Sequence, residues 1–401
     1  MATRWRASAG PYERDSRSGM ESVLRRQLLY LGAVAAFARP QKPQQQTNSV
    51  TAGATEDQTI RVGLVLSSFK DSEDHYGAKV KGLPDPRPAG ADLSDAQLDA
   101  LVRKALAFGT KGKIELSSIP AADDWVLIKT DVSACGSGAL RPAPGSIADL
   151  RVVRSLLGYL VENKCGARIT IAEGLGGCGD AWASEWNGAF GGLSYKRMIA
   201  DFSRLHPSIK FDLMDLDQQP AIALPVEGKT LARRNTEQSY SIPKAIQQCD
   251  RLISVAPLAV DSRLGAALTF GNYLSIASAS RYGTARSGLE KLGEPAEIAV
   301  DLFSYHPADY AILGGSWGME EGGSVHHNLI VAGASAVSVD AVAAAVMGFA
   351  AGDLQVLPMA ERKGFGSRDV DAIWVRGNEI EQARRPFRKP AGWTAPQPLA
   401  I

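Results

Sequence analysis

The chain has 401 residues, with 44 Lys and Arg against 43 Asp and Glu, a net charge of +1 and 45% apolar residues. That length suits two domains or one large α/β domain, and the apolar share is enough for a sizeable core. A charge this close to zero argues against nucleic acid or an anionic membrane surface as the main partner.

The first 38 residues read as an address. Arg25 and Arg26 precede the apolar run 28–38, which closes in Ala36-Phe37-Ala38. This is a charged stretch, a short apolar stretch and a small-x-small cleavage pattern, too short for stable membrane insertion. Arg-Arg-Gln-Leu-Leu is similar to a twin-arginine signal, so export by the twin-arginine machinery to the periplasm is expected, with Met20 as the true start. The Gln- and Pro-rich stretch 39–58 cannot bury a core and is expected to be a disordered tether. The folded domain should run over 59–378, with an irregular tail over 379–401.

From there, short β-branched runs alternate with helical spacing. IRVGLVL (60–66) and WVLIKT (125–130) predict strands, with LDALVRKALAF (98–108) a helix between them. SIADLRVVRSLLGYLVEN (146–163) has apolar residues at helical spacing behind a Ser cap. ARITIAEG (167–174) and IKFDLMDLD (209–217) predict strands. IPKAIQQCDRLISVAPL (242–258) gives a short helix and then the strand RLISVA. ADYAILGG (308–315), NLIVAG (328–333) and AIWVRG (372–377) are the remaining strands, and SVDAVAAAVMGFA (338–350) is a helix capped by Ser338. The fold class is therefore α/β, with βαβ units around a mainly parallel or mixed sheet.

Four cysteines, at 135, 165, 178 and 249, show no CxxC spacing, so no iron–sulfur cluster is expected. In an exported protein some could pair; Cys165 and Cys178 flank a strand, but the sequence leaves their connectivity open. GLGGCG (174–179) follows that strand and formally matches GxGxxG. Its context is poor for a dinucleotide, because Asp215 lies 36 positions beyond Gly179, where about 20 is expected. Such a loop still lies where open α/β sheets bind ligands, which makes Gly176 a substrate-binding candidate.

These segments resemble the domain of unknown function 362 family. The likeness rests on WVLIKTD, on the run from SIADLRVVRSLLGYL to ARITIAEGLGG, on IPKAIQQCDRLISVAPL, and on GSWGMEEGG, NLIVAGASAVSVDAVAAAVMGF and GFGSRDVDAIWVRG. Where the family shows Pro-Lys-Leu-Lys-Thr-His, this chain has Pro257-Leu258-Ala259-Val260-Asp261-Ser262, without the lysines or the histidine. The family implies no settled reaction.

The candidate site follows from charge at strand ends and in the glycine-rich run. Lys129 and Asp131, two apart at the end of a strand, suit binding of an anionic or oxygenated substrate. Glu320 in the Gly-Met-Glu turn and Asp340 at the next helix are candidates for acid–base work, and Gly318 in the same turn is a candidate for substrate binding. With His326 they form a possible oxygen/nitrogen ligand set for a divalent metal, while Glu321 and His327 should face away. His75 belongs to a solvated polar loop. Nucleophile-elbow, HExxH and Ser-His-Asp signatures are missing. The expected function is an enzyme acting on a small oxygenated or anionic substrate; the alternative is a non-catalytic periplasmic ligand- or cofactor-binding protein. Carboxylates with raised pKa would favour the first, and a closed, satisfied network the second.

Overall fold

The computed structural model describes residues 59–74, 77–132, 143–176, 181–185 and 190–395. Residues 1–58, where an export signal and a tether are expected, as well as His75, Cys135, Cys178 and Gly177–Gly179, lie outside the described residues.

Eight strands form one sheet: β1 (Arg61–Leu66), β2 (Trp125–Lys129), β3 (Arg168–Glu173), β4 (Lys210–Asp215), β5 (Arg251–Ala256), β6 (Tyr310–Glu320), β7 (Gly323–Gly333) and β8 (Trp374–Gly377). Their spatial order is β8-β1-β7-β6-β5-β2-β3-β4. The pairs β8–β1, β6–β5, β5–β2, β2–β3 and β3–β4 are parallel, and β7 runs antiparallel to both of its neighbours. The central strands are covered on both faces, which is why they read as continuous apolar runs rather than alternating ones. Strand parity divides the interior in two. Val126, Ile128, Ile169 and Ile253 join one apolar cluster, and Leu127, Ala172, Leu252 and Leu313 the other.

Helices α1 (Asp95–Phe108), α2 (Leu150–Glu162) and α3 (Tyr195–Leu205) supply the first layer. Helices α4 (Leu268–Asn272), α5 (Pro295–Ser304), α6 (Ala336–Val346) and α7 (Val356–Arg362) supply the second. None of the described helices is long and apolar enough to cross a membrane.

The predicted element types hold, with corrections at the ends. Helix α2 begins at Leu150 behind Asp149, whose carboxylate accepts from Arg151 N, not behind Ser146. Ser335 rather than Ser338 caps α6, accepting from Ser338 N, so Asp340 sits inside the helix and not at its start.

The largest difference concerns Ser316–Glu320, where the sequence predicts a turn at the Gly-Met-Glu stretch. It is strand: β6 and β7 are both eleven-residue strands joined by the two-residue turn Glu321-Gly322. Its glycines serve close approach. A Cβ at Gly315 would stand 2.7 Å from the Asp149 Cβ, at a register shift in the hairpin where Ser316 N donates to Asp149 Oδ2. A Cβ at Gly318 would lie 2.8 Å from both Leu258 O and the Phe387 ring.

After the short helix Ile380–Ala383 the chain docks back on the domain. Arg385 N donates to Val346 O, Phe387 N to Met347 O, and Phe387 is buried.

Candidate active site

The route of the chain creates the site. It passes β2, β3 and β4 in spatial order and then crosses back to place β5 on the other side of β2. Open α/β sheets bind ligands at such a reversal, beyond the carboxyl ends of the strands.

At that edge β2 ends in Lys129 and β3 in Glu173, and neither side chain has exposed surface. Lys129 shares parity with Leu127 and so points into the layer that contains α4. Its Nζ donates to Glu173 Oε1 and Oε2 at 2.9 Å, to Asn272 Oδ1 at 2.6 Å and to Thr130 O at 2.8 Å. Asn272, the last residue of α4, returns its Nδ2 to Lys129 O and Ser254 Oγ. Glu173 also accepts from Gly174 N at 2.7 Å, Val132 N at 3.2 Å and Ser275 Oγ at 2.5 Å. Burial pushes Glu173 above the usual carboxylate range; the Lys129 charge opposes this and the Asp131 charge adds to it.

Above the pair lies a cavity of about 320 Å³. Its wall includes Asp131 after β2, Gly174–Gly176 after β3, Asp261 and Arg263 in the hairpin after β5, Ser275 beyond α4, and Arg286. A buried ion pair secures one side: Arg286 Nη2 lies 2.6 Å from Asp217 Oδ1, while Asp217 Oδ2 accepts from Gly176 N at 2.8 Å. The glycine-rich loop is thus anchored to a carboxylate of this chain. Arg286 further donates to Ser275 O and Thr284 O.

A family model described as a domain of unknown function (DUF362) matches residues 126–345, from within β2 to the end of α6. The chain belongs to the DUF362 family. The matched interval contains the buried Lys129, Glu173 and Asn272 together with the wall residues Asp131, Gly176, Ser275 and Arg286. No protein of curated function matches the chain.

The sequence candidates separate into two sets. Lys129, Asp131 and Gly176 converge: Asp131 and Gly176 line the cavity, and Lys129 lies beneath it. The acid partner of Lys129 is Glu173 of the same chain, which occupies the ammonium expected to meet an anion.

Glu320, Gly318, His326 and Asp340 have other surroundings. Glu320 accepts from Arg388 Nε at 2.8 Å and Arg388 N at 3.0 Å. Partial burial raises its pKa, but these Arg388 contacts outweigh that and hold it below the usual carboxylate range. His326 stacks on Trp317, ring centroids 4.2 Å apart, and burial lowers its pKa. His327 points inward, where its Nε2 meets Ala383 O and burial pushes it down to about 4. Asp340 is buried and accepts from Thr269 N and Phe270 N, the first amides of α4; burial raises it to about 7. Among the described residues no three His, Cys, Asp or Glu side chains are grouped to hold a metal ion, so Glu320, His326 and Asp340 do not form the expected ligand set.

Asp340 does touch the site at one remove. Its carboxylate holds the start of α4, and the end of α4 places Asn272 on Lys129.

Sequence reasoning missed Glu173, Asn272, Ser275 and Arg286. For Glu173 a signal existed, a carboxylate closing the otherwise apolar strand RITIAE. The other three lie in stretches whose spacing carries no chemical pattern.

Proposed function

We propose that this chain binds a small oxygenated molecule in the cavity beyond β2 and β3 and acts on it by acid–base chemistry. The carrying observation is the Lys129–Glu173 pair, sealed from solvent directly beneath a ligand-sized cavity at the reversal of strand order. Buried carboxylates held above their ordinary range are concentrated at catalytic sites. The ligand is expected to carry hydroxyl or carbonyl groups rather than a strong anion. Lys129 is already neutralised by Glu173, Arg286 by Asp217 and Arg263 by Asp261, while Asp131 and Glu290 add negative charge to the wall. Export to the periplasm remains part of this proposal, resting on Arg25, Arg26 and the apolar run behind them.

A second reading, binding without turnover, draws support from the number of partners already held by Lys129, Glu173 and Asn272. Thermal-shift titration against hydroxy acids, keto acids, polyols and simple esters tests the cavity. A binder should raise the melting temperature of the wild type and fail to do so in Ala285→Trp, which fills the cavity from an exposed wall position. Equal stabilisation of both proteins, or of neither, would sink the site. Turnover of a binder then separates enzyme from binding protein.

A further inference from the structure

Ser275 joins the buried network to the cavity. It lies in a short 3-10 turn (Leu274–Ile276) that follows α4, and its residue lines the cavity wall. Its hydroxyl donates to Glu173 Oε1 at 2.5 Å, with Asn272 O a second acceptor at 3.2 Å. A hydroxyl has one proton, and the shorter, charge-assisted contact takes it. Glu173 is fixed by Lys129, which donates to both of its oxygens, and Lys129 by Asn272 Oδ1 and Thr130 O. The Ser275 carbonyl is tied to Arg286 Nη2 at 3.1 Å, which restrains the turn. Nucleophile, base and a third group orienting the base, each within hydrogen-bond reach, is the arrangement that activates a hydroxyl for covalent catalysis.

We propose that Ser275 is a nucleophile toward small carboxylic esters, with Glu173 as its base and Lys129 as the positioning residue for that base. This rests on the cavity being a ligand site. Ser275 Oγ adds to the ester carbonyl carbon while its proton passes to Glu173 Oε1 and the carbonyl π pair moves onto oxygen. When the carbonyl re-forms, the ester C–O bond breaks and the departing alkoxide recovers the proton from Glu173. Water then repeats both steps on the acyl-serine, releasing the acid and restoring the hydroxyl. The raised proton affinity that burial confers on Glu173 suits it to hold the proton between the two steps.

The test uses the full chain with a fluorophosphonate, whose phosphorus would bond to Ser275 Oγ as fluoride leaves, and with p-nitrophenyl acetate. Peptide mapping by mass spectrometry should place the phosphonyl group on Ser275. Acetate ester cleavage should show a burst of nitrophenolate equivalent to the enzyme. Both signals should vanish in Ser275→Ala and slow on the order of a hundredfold in Glu173→Gln. Wild type that stays unmodified at Ser275, or a folded Glu173→Gln protein that labels at the wild-type rate, overturns the proposal. If Glu173→Gln does not fold, the wild-type map still decides. Failure of labelling while a cavity binder still loses its effect in Ala285→Trp removes the nucleophile and leaves the binding site. Failure of both removes both.

Discussion

Lys129 and Glu173 close adjacent parallel strands, and their charged groups meet at 2.9 Å with no exposed surface on either side chain. Two charges taken out of water recover the desolvation cost only through close mutual contact and further hydrogen bonds. Here Asn272, Ser275, Gly174 and Val132 supply those bonds. The floor of the cavity is therefore one cooperative unit.

Removing one partner should be far more damaging than removing both. Lys129→Met leaves Glu173 buried without its cation and should destabilise the domain by about 3–5 kcal/mol. The double variant Lys129→Met/Glu173→Leu should recover at least half of that. Urea unfolding of both proteins at neutral pH measures the difference. A single variant no less stable than the double one would contradict the pairing.

Asp340 should make stability depend on pH in a direction that can be worked out. Its folded-state value of about 7 lies above the ordinary aspartate value of 3.8, so this group gains a proton on folding between those limits. Its contribution is fully present below pH 3.8 and declines as pH rises to about 7. Asp340→Asn keeps an acceptor for the amides of α4 and removes the titration. The stability of the variant relative to wild type should thus rise across that window and level off above it. Denaturant midpoints at a series of pH values report this; a constant difference would refute the buried, proton-binding carboxylate.

Glu320, the first choice for a base on sequence grounds, should be dispensable for ligand binding. Its partner Arg388 is largely exposed, and an ion pair of that kind is worth about 1 kcal/mol or less. Glu320→Gln should change stability by no more than about that amount and leave the thermal shift of any cavity binder intact. Loss of that shift would return Glu320 to the site.

Gly318→Ala should be costly although the substitution adds a single methyl group. The new Cβ would fall 2.8 Å from Leu258 O, where strand β6 receives the chain leaving β5, and equally close to Phe387. Overpacking of this kind costs about 1–3 kcal/mol. A melting temperature within error of wild type would show that the tail yields freely.

Sequence alone made the fold class legible, because parallel strands buried on both faces must be short apolar runs and the helices between them must show a 3.6-residue period. Lys129, Asp131 and Gly176 were legible for a related reason: open α/β sheets bind ligands beyond the carboxyl ends of such strands. The GGSWGMEEGG run misled. Glycine density there reflects Gly315 against Asp149 and Gly318 against Leu258 and Phe387, contacts from segments distant in the chain. Spacing cannot distinguish a glycine that turns from one that admits a neighbour.

The same division holds for the chemistry. Composition and pattern determined the α/β class, the strands, the family resemblance and part of the candidate cavity's lining, since each depends on local period or on a residue's place at a strand end. Which carboxylate faces Lys129 was decided only by tertiary structure. Glu173 lies 44 positions from Lys129 and Asn272 a further 99, and they meet because parallel pairing aligns strand ends while α4 packs above them. Burial, and with it the proton affinity of Glu173 and Asp340, is a property of that packing and not of either residue's neighbours in the chain.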